Sequence, residues 1–256
     1  MKVKITFFLL AASVILVQPL YAQMTPHTVV YLDSQTKQTR AQAVLRVSRD
    51  QKNHDVIMLM TGQGTMEEYK DMRFQRRSHL LDEGMLKPLE SEALFYDKKD
   101  KVIGGYRFVY DYDKEEVTYQ SIGENKTVQK NESFPIQGAI ADAINLPIFL
   151  EKFLPLHEGV MAKEFYFLSA EPKMYRLDIE YRGTEPIDLD GKQAYAKKIE
   201  IVERKGSLED LTAKFFSKTP KTFVWFSLDR PYRWLQITGP EKGPASVPVL
   251  IKQLPD

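Results

Sequence analysis

The side chains able to carry acid–base, nucleophilic or metal chemistry are thinly spread along this chain. Its four histidines, His27, His54, His79 and His157, stand far apart, and no His-x-His, His-x-x-x-His or His-x-x-Glu grouping sets two ligands on one face. Serine lacks both a Gly-x-Ser-x-Gly elbow and a Ser-x-x-Lys pair at the start of a helix. Gly62-Gln63-Gly64 has neither the third glycine nor the following helix of a phosphate cradle, so it reads as a turn. Asp188-Leu189-Asp190-Gly191 offers some alternating oxygens of a calcium loop, but the third acidic position and the closing glutamate are missing, and it too reads as a turn. Acid pairs such as Asp111 with Asp113 and Glu67 with Glu68 suit glycoside hydrolysis in type, yet adjacent acids arise freely in a chain with 35 Asp and Glu. With no cysteine, disulfides, thiolate metal sites and thiol nucleophiles drop out together. No catalytic residue, metal site or cofactor is expected.

Aromatic side chains are the remaining candidates: 13 Tyr, 14 Phe and two Trp. Large rings on a concave sheet can hold an acyl chain or stack on a sugar, and they also fill an ordinary β core. Phe223, Trp225, Tyr232 and Trp234 form the expected wall of an apolar ligand cavity, with Ile144, Ile148 and Phe149 facing them from a helical segment. Asp142 and Asp229 are expected in structural roles, capping backbone N–H groups or pairing with an arginine such as Arg230 or Arg233.

The elements that would position these residues begin with a leader. Lys2 and Lys4 precede an uncharged apolar run from Ile5 to Val17, and Leu20-Tyr21-Ala22 offers a cleavage site before Gln23, so residues 1–22 read as a signal peptide. The alternative is an uncleaved anchor, but the apolar run of about 13 residues falls short of the roughly 20 that span a bilayer. Cleavage leaves no transmembrane anchor and directs the protein to the periplasm or the medium. Without Lys2 and Lys4 the 36 basic residues become 34 against 35 acidic, a formal net charge of −1, which argues against nucleic acid as a partner. Arg73, Arg76, Arg77 and Lys197, Lys198 are the basic clusters that could touch acidic lipid, or simply face solvent.

The rest, 23–256, reads as a single β-rich domain able to bury roughly 70% of its unfolded surface. Tyr175, Leu177, Ile179 and Tyr181 alternate with Arg176, Asp178, Glu180 and Arg182, the mark of a half-buried antiparallel strand. Tyr106, Phe108, Tyr110, Tyr112 and Tyr195, Ile199, Ile201, the latter with the Lys197 stem, repeat the pattern, as do Ala43, Leu45, Val47 and Val247, Val249, Ile251. Asp97–Asp100, Gly123-Glu124-Asn125, Arg182-Gly183-Thr184 and Asp190-Gly191 read as hairpin connections. Residues 56–60 and 223–228 are apolar on both faces and should be covered on both sides. Ile136, Ile140, Ile144 and Ile148 recur every fourth residue, which predicts one kinked helix or two short ones over about Gly138 to Leu154, with Asn145 capping the second and Pro147 in its first turn. The expected fold class is mainly β (α+β), a curled antiparallel sheet or open half-barrel with one central kinked helix.

Two segments carry a resemblance. Residues 135–149, Pro-Ile-Gln-Gly-Ala-Ile-Ala-Asp142-Ala-Ile-Asn-Leu-Pro-Ile-Phe, and the series Ile187–Gly191, Ala194–Ile201 and Phe223–Arg233 resemble hallmark stretches of the DUF3108 family, exported bacterial proteins of unknown function. Leu146-Pro147-Ile148 departs from the straighter helix ending in arginine that the family would show. The resemblance implies an open barrel like those of periplasmic lipoprotein carriers and brings no catalytic residue. The functional expectation is an exported, non-catalytic binding module for a lipid, acyl chain or lipoprotein anchor. The alternatives are a structural or assembly partner of an envelope protein and a hydrolase acting through Asp142 or Asp229.

Overall fold

A computed structural model of the chain describes residues 26–50, 52–66, 69–153, 164–203, 221–229, 232–240 and 248–254. The leader and its cleavage site, Glu67, Glu68, His157, Arg230 and Val247 lie outside the described residues. The strands are β1 (Pro26–Asp33), β2 (Thr39–Asp50), β3 (Asp55–Met66), β4 (Tyr69–Glu83), β5 (Met85–Tyr96), β6 (Val102–Asp111), β7 (Glu116–Ile122), β8 (Val128–Pro135) and β9 (Ile140–Asp142). Among the described residues one α-helix, α1 (Leu146–Leu150), runs into a 3-10 turn at Glu151–Phe153. Then follow β10 (Phe165–Leu168), β11 (Met174–Leu189), β12 (Lys192–Glu203), β13 (Thr222–Phe226), β14 (Trp234–Pro240) and β15 (Pro248–Gln253).

All fifteen strands belong to one sheet, ordered β8-β7-β6-β5-β4-β3-β2-β1-β15-β14-β13-β12-β11-β10-β9. Two meanders, β1–β8 and β10–β15, meet where β1 pairs antiparallel with β15, so Val29 lies opposite Gln253. The sheet curls until β9 comes to rest near β5, leaving β6, β7 and β8 as a flank beyond that contact. The fold is therefore a mainly β, open curled sheet with one short helix, as the period-two pattern predicts. The antiparallel rule has one exception, β9 beside β10, which run parallel.

Alternation decides what the concave face buries. Tyr106, Phe108 and Tyr110 of β6, Leu177 and Ile179 of β11, Ala43 and Leu45 of β2 and Ile199 of β12 all enter one continuous core that fills the curl. Tyr112, Tyr175, Tyr181, Val47, Ile201 and Ile251 pack on it, while Val249 is buried and Tyr195 is left exposed at the far end of β12. Three of the expected connections are tight. Asp97 Oδ1 accepts the N–H groups of Lys99 and Lys101; Asn125 and Lys126 take positive φ between β7 and β8; and Asp190-Gly191, both at positive φ, turns β11 into β12.

Four expectations are corrected. Arg182-Gly183-Thr184 is not a hairpin but a bulge inside β11, where the pairing shifts from Tyr181 opposite Ile199 to Thr184 opposite Lys197. Gly62-Gln63-Gly64 is not a turn but the middle of β3, paired with β2 and β4. A Cβ on Gly62 would stand 2.3 Å from the Gln42 carbonyl oxygen and 2.6 Å from the Phe74 ring, so glycine is required by a close approach. The apolar run at 56–60 is covered on one side only, since Val56, Met58 and Met60 enter the core while Ile57 and Leu59 are half-buried. Last, the helix expected over about Gly138 to Leu154 covers only Leu146–Leu150, and Leu154 lies outside the described residues. Ile136, Ile140, Ile144 and Ile148 do all meet the core, but from a loop, a strand, a turn and a helix in succession. Gly138 at φ +64 redirects the chain, and β9 satisfies its backbone on β10 instead of within a helix.

Candidate functional site

Three places bring chemistry-bearing side chains together. The first lies inside the curl, where Asp142 is fully buried. Its Oδ1 accepts the N–H groups of Ile144 (2.8 Å) and Asn145 (3.0 Å), bending the chain into the turn that launches α1. Its Oδ2 accepts the Tyr110 hydroxyl at 2.7 Å and Asn145 Nδ2 at 2.6 Å. Asn145 Nδ2 also reaches Ser91 Oγ, which pairs with Ser78 Oγ at 2.7 Å. Asn145 thus stands at the N-cap position without capping α1, because its side chain is spent on Asp142 and Ser91. The network fastens the β9–α1 segment to β4, β5 and β6. Burial pushes the Asp142 carboxyl up, against the lowering effect of Tyr110, Ser91 and the two amides, and burial also holds the Tyr110 hydroxyl well above its usual range. Each buried partner left unsatisfied here would cost about 1–3 kcal/mol, so the cluster has the chemistry of a structural clasp.

The second place is at the end of the curl that carries the β2–β3, β4–β5 and β6–β7 turns. Glu151 follows α1 and pairs with Arg49 of β2 at 2.6 Å, while Lys152 holds Asp82 of β4 at 2.6 Å. Burial raises Glu151 to a pKa of about 7, outweighing Arg49, the Trp234 backbone N–H, Arg233 and Lys152, which all act to lower it. A titrating carboxyl ringed by cations is an electrostatic fastening.

The third is a cleft of about 480 Å³ near the opposite end, beside the flank that the curl leaves open. Ile103, Tyr106, Tyr119 and Ile122 supply apolar walls, Gly104 and Gly105 expose backbone, and the Ala170–Pro172 turn closes it from the β10–β11 side. Ser121, Glu124, Gln129 and Glu171 add polar groups. Tyr106 and Tyr119 stack with ring centroids 6.4 Å apart, so one face of the cleft is a tyrosine pair. No lysine or arginine is among the lining residues.

The expected cavity wall is split by the sheet. Ile144, Ile148, Phe149 and Trp234 are buried in the main core, and Tyr232 packs on it beneath Lys197, whose Nζ sits 4.4 Å from the ring centroid. Phe223 and Trp225 face the other way, into a small convex-side cluster with Ile187, Leu189 and Ala196. There Trp225 Nε1 donates to Glu185 at 2.8 Å and Lys198 lies over both rings. Burial acts to raise Glu185, but that indole N–H and Lys198 prevail and hold it below the usual carboxylate range. The change of face between Trp225 and Trp234 comes from a second bulge, on β14, where Gln236 and Trp234 stand opposite the adjacent Trp225 and Phe226. Lys197 and Lys198, adjacent on β12, point to opposite faces by the ordinary pleat and make no basic patch. Asp229 is exposed, its backbone oxygen accepting from Ser227 Oγ. The histidines stay apart: His79 pairs with Asp55, His54 lies in the β2–β3 turn and His27 on β1. Asp111 is committed to Lys114 in the β6–β7 turn. Among the described residues no group of three or more His, Cys, Asp or Glu is placed to hold a metal ion, and no helix is long and apolar enough to cross a membrane.

The cleft escaped sequence reasoning because its lining comes from β6, β7, β8 and the β10–β11 turn. Gly104-Gly105 in an otherwise alternating strand was the available signal, since paired glycines in a strand mark close approach.

No family model matches the chain, so the likeness to the DUF3108 family rests on the quoted segments alone. No curated protein matches it. Among solved structures, a beta-barrel-like protein of a domain of unknown function, DUF1849, from Brucella abortus aligns over 90% of this chain and 96% of that chain, at 8% identity and a TM-score of 0.46. A likeness of that size speaks to neither ligand nor activity.

Proposed function

We propose that this chain is an exported envelope protein, cleaved after Ala22 and acting in the periplasm or the medium as a non-catalytic binding module. Its site is the cleft beside the open flank, and its ligand is an amphipathic small molecule, lipid, acyl chain or lipoprotein anchor. The observation that carries this reading is the cleft: about 480 Å³, within the range of about 300–1,000 Å³ that small-molecule sites occupy, with a tyrosine pair and isoleucines set in a lining whose accessible surface is mostly polar. The core fills the interior of the curl, so the ligand is held at the flank and not along the axis. Glu124 and Glu171 on the rim, with no lysine or arginine among the lining residues, favour an uncharged or cationic head over a phosphate. The scattered histidines and the structural commitment of Asp142 and Asp111 favour binding over hydrolysis. Export is supported by the leader and by the likeness of 135–149, 187–191, 194–201 and 223–233 to the exported DUF3108 family.

The test is native mass spectrometry and organic extraction of the protein recovered from the envelope fraction, beside a Ser121→Trp variant that fills the cleft. The expected result is a mature N-terminus at Gln23 and a co-purifying acyl-containing species. The Trp variant should lose that species while keeping its melting temperature. A wild-type protein that is empty and takes up no fluorescent acyl probe overturns the binding reading.

A further inference from the structure

The outermost strand, β8, is hydrogen-bonded to β7 on one side and to no strand among the described residues on the other. Val128, Gln129, Lys130, Asn131, Ser133 and Pro135 are exposed along it, so a free row of N–H and C=O groups lies open to another strand. The phase of that row follows from its end. Ile136 N–H reaches the Glu115 carbonyl at 2.7 Å, so by alternation the backbone groups of Phe134, Glu132 and Lys130 turn toward β7 and those of Ser133 and Asn131 turn outward. Pro135 falls in the outward phase, where its missing N–H costs the β7 ladder nothing.

Charged side chains on an edge ordinarily keep foreign strands away. Here Lys130 and Glu132 flank Asn131 and pair with each other within the strand. An antiparallel copy of β8 centred on Asn131 puts each Lys130 opposite Glu132 of the second copy, and the two Asn131 backbones exchange their outward hydrogen bonds. Sliding the copy by two residues either way puts Lys130 against Lys130 or Glu132 against Glu132, a repulsion that disfavours the wrong register. We propose that the protein forms a two-fold dimer by antiparallel pairing of β8 with β8 of a second copy, in the register centred on Asn131, so that one sheet continues through both molecules. The pairing is short, since a bulge interrupts the β7–β8 register between Ser121 and Ile122, and the dimer is correspondingly weak and concentration-dependent. It does not depend on the cleft holding a ligand.

Sedimentation velocity of the processed protein, from low micromolar to near-millimolar concentration, tests this. The wild type should shift from monomer to dimer over that range. Lys130→Glu sets like charges opposite one another at two symmetric places and should weaken the dimer by about tenfold or more. The double variant Lys130→Glu with Glu132→Lys exchanges the charges and should return the dimer to near wild-type strength. Asn131→Pro removes the outward N–H without touching the β7 ladder and should be monomeric, which keeps the test decisive should the charge reversal disturb folding. A wild type that stays monomeric, a dimer indifferent to Asn131→Pro, or a folded Lys130→Glu variant not rescued by the exchange overturns the proposal.

Discussion

At the scale of single residues, one buried and one half-buried carboxyl show how position and not type assigns a role. Asp142 receives four hydrogen bonds within the curl and spends all of them on holding the β9–α1 segment in place. Glu151 is ringed by Arg49, Arg233 and Lys152, yet burial outweighs them and its proton is held to a pKa of about 7. The sign of the consequence follows from linkage. A carboxyl whose folded pKa lies above its unfolded value of 4.5 binds more protons when folded, so its contribution is full below about pH 4.5 and is lost as pH rises through about 7. The difference corresponds to an order of magnitude of about 3 kcal/mol. Urea unfolding followed by circular dichroism should therefore show stability falling between pH 5 and 8, a window that runs from above the unfolded to above the folded pKa. Glu151→Gln should flatten that fall and unfold later than wild type at pH 8. Parallel pH profiles for the two proteins would remove Glu151 as the cause.

At the scale of elements, the informative features are interruptions. Period-two alternation correctly placed the inward faces of β2, β6 and the first half of β11, because a strand reports its own pleat in the order of its residues. A bulge breaks that report by one position. Gly183, at φ +98, lets β11 change parity, so that Ile187 and Leu189 turn to the convex side and pack with Trp225. Deleting Gly183 removes the extra residue, so Thr184 should stay opposite Lys197 in an unbroken ladder and both aliphatic side chains should keep the convex face. Inserting one residue after Thr184 instead moves Ile187 and Leu189 one position along and turns both to the wrong face. The expected loss for the insertion is about 3–5 kcal/mol, from two large side chains taken out of their cluster. It should come with a red-shifted emission from Trp225 while Trp234 stays in its buried setting. Unchanged emission and an unchanged urea midpoint in the insertion variant would show that the count of residues along β11 does not set the parity. The same reasoning explains the misplaced helix: four isoleucines at a spacing of four satisfy a helix and equally satisfy a loop, strand, turn and helix that share one core.

At the scale of the whole molecule, closure depends on the two most distant strands. β1 has β2 on one side and β15 on the other, so the two meanders are joined across the sheet by residues more than two hundred positions apart, as with Val29 and Gln253. Such pairing must pay its loop-closure entropy before it is rewarded, which predicts slow folding for a sheet of this topology. A chain ending before Pro248 leaves both β1 and β14 as open edges. It should lose cooperative unfolding in urea and expose apolar surface to a hydrophobic dye. A truncated protein with a sharp, wild-type transition would show that the meanders fold without their junction.

The order of residues by itself determined that the chain is a sheet and where three of its hairpins fall, because alternation and turn chemistry are local properties of neighbouring residues. It singled out Asp142 but none of the partners that bind its carboxylate. Tertiary structure alone decided which aromatic rings share a face, where the cleft opens and which edge stays unpaired. Those outcomes depend on bulge parity, on sheet curvature and on the meeting of strands remote in sequence, none of which any short window of residues encodes.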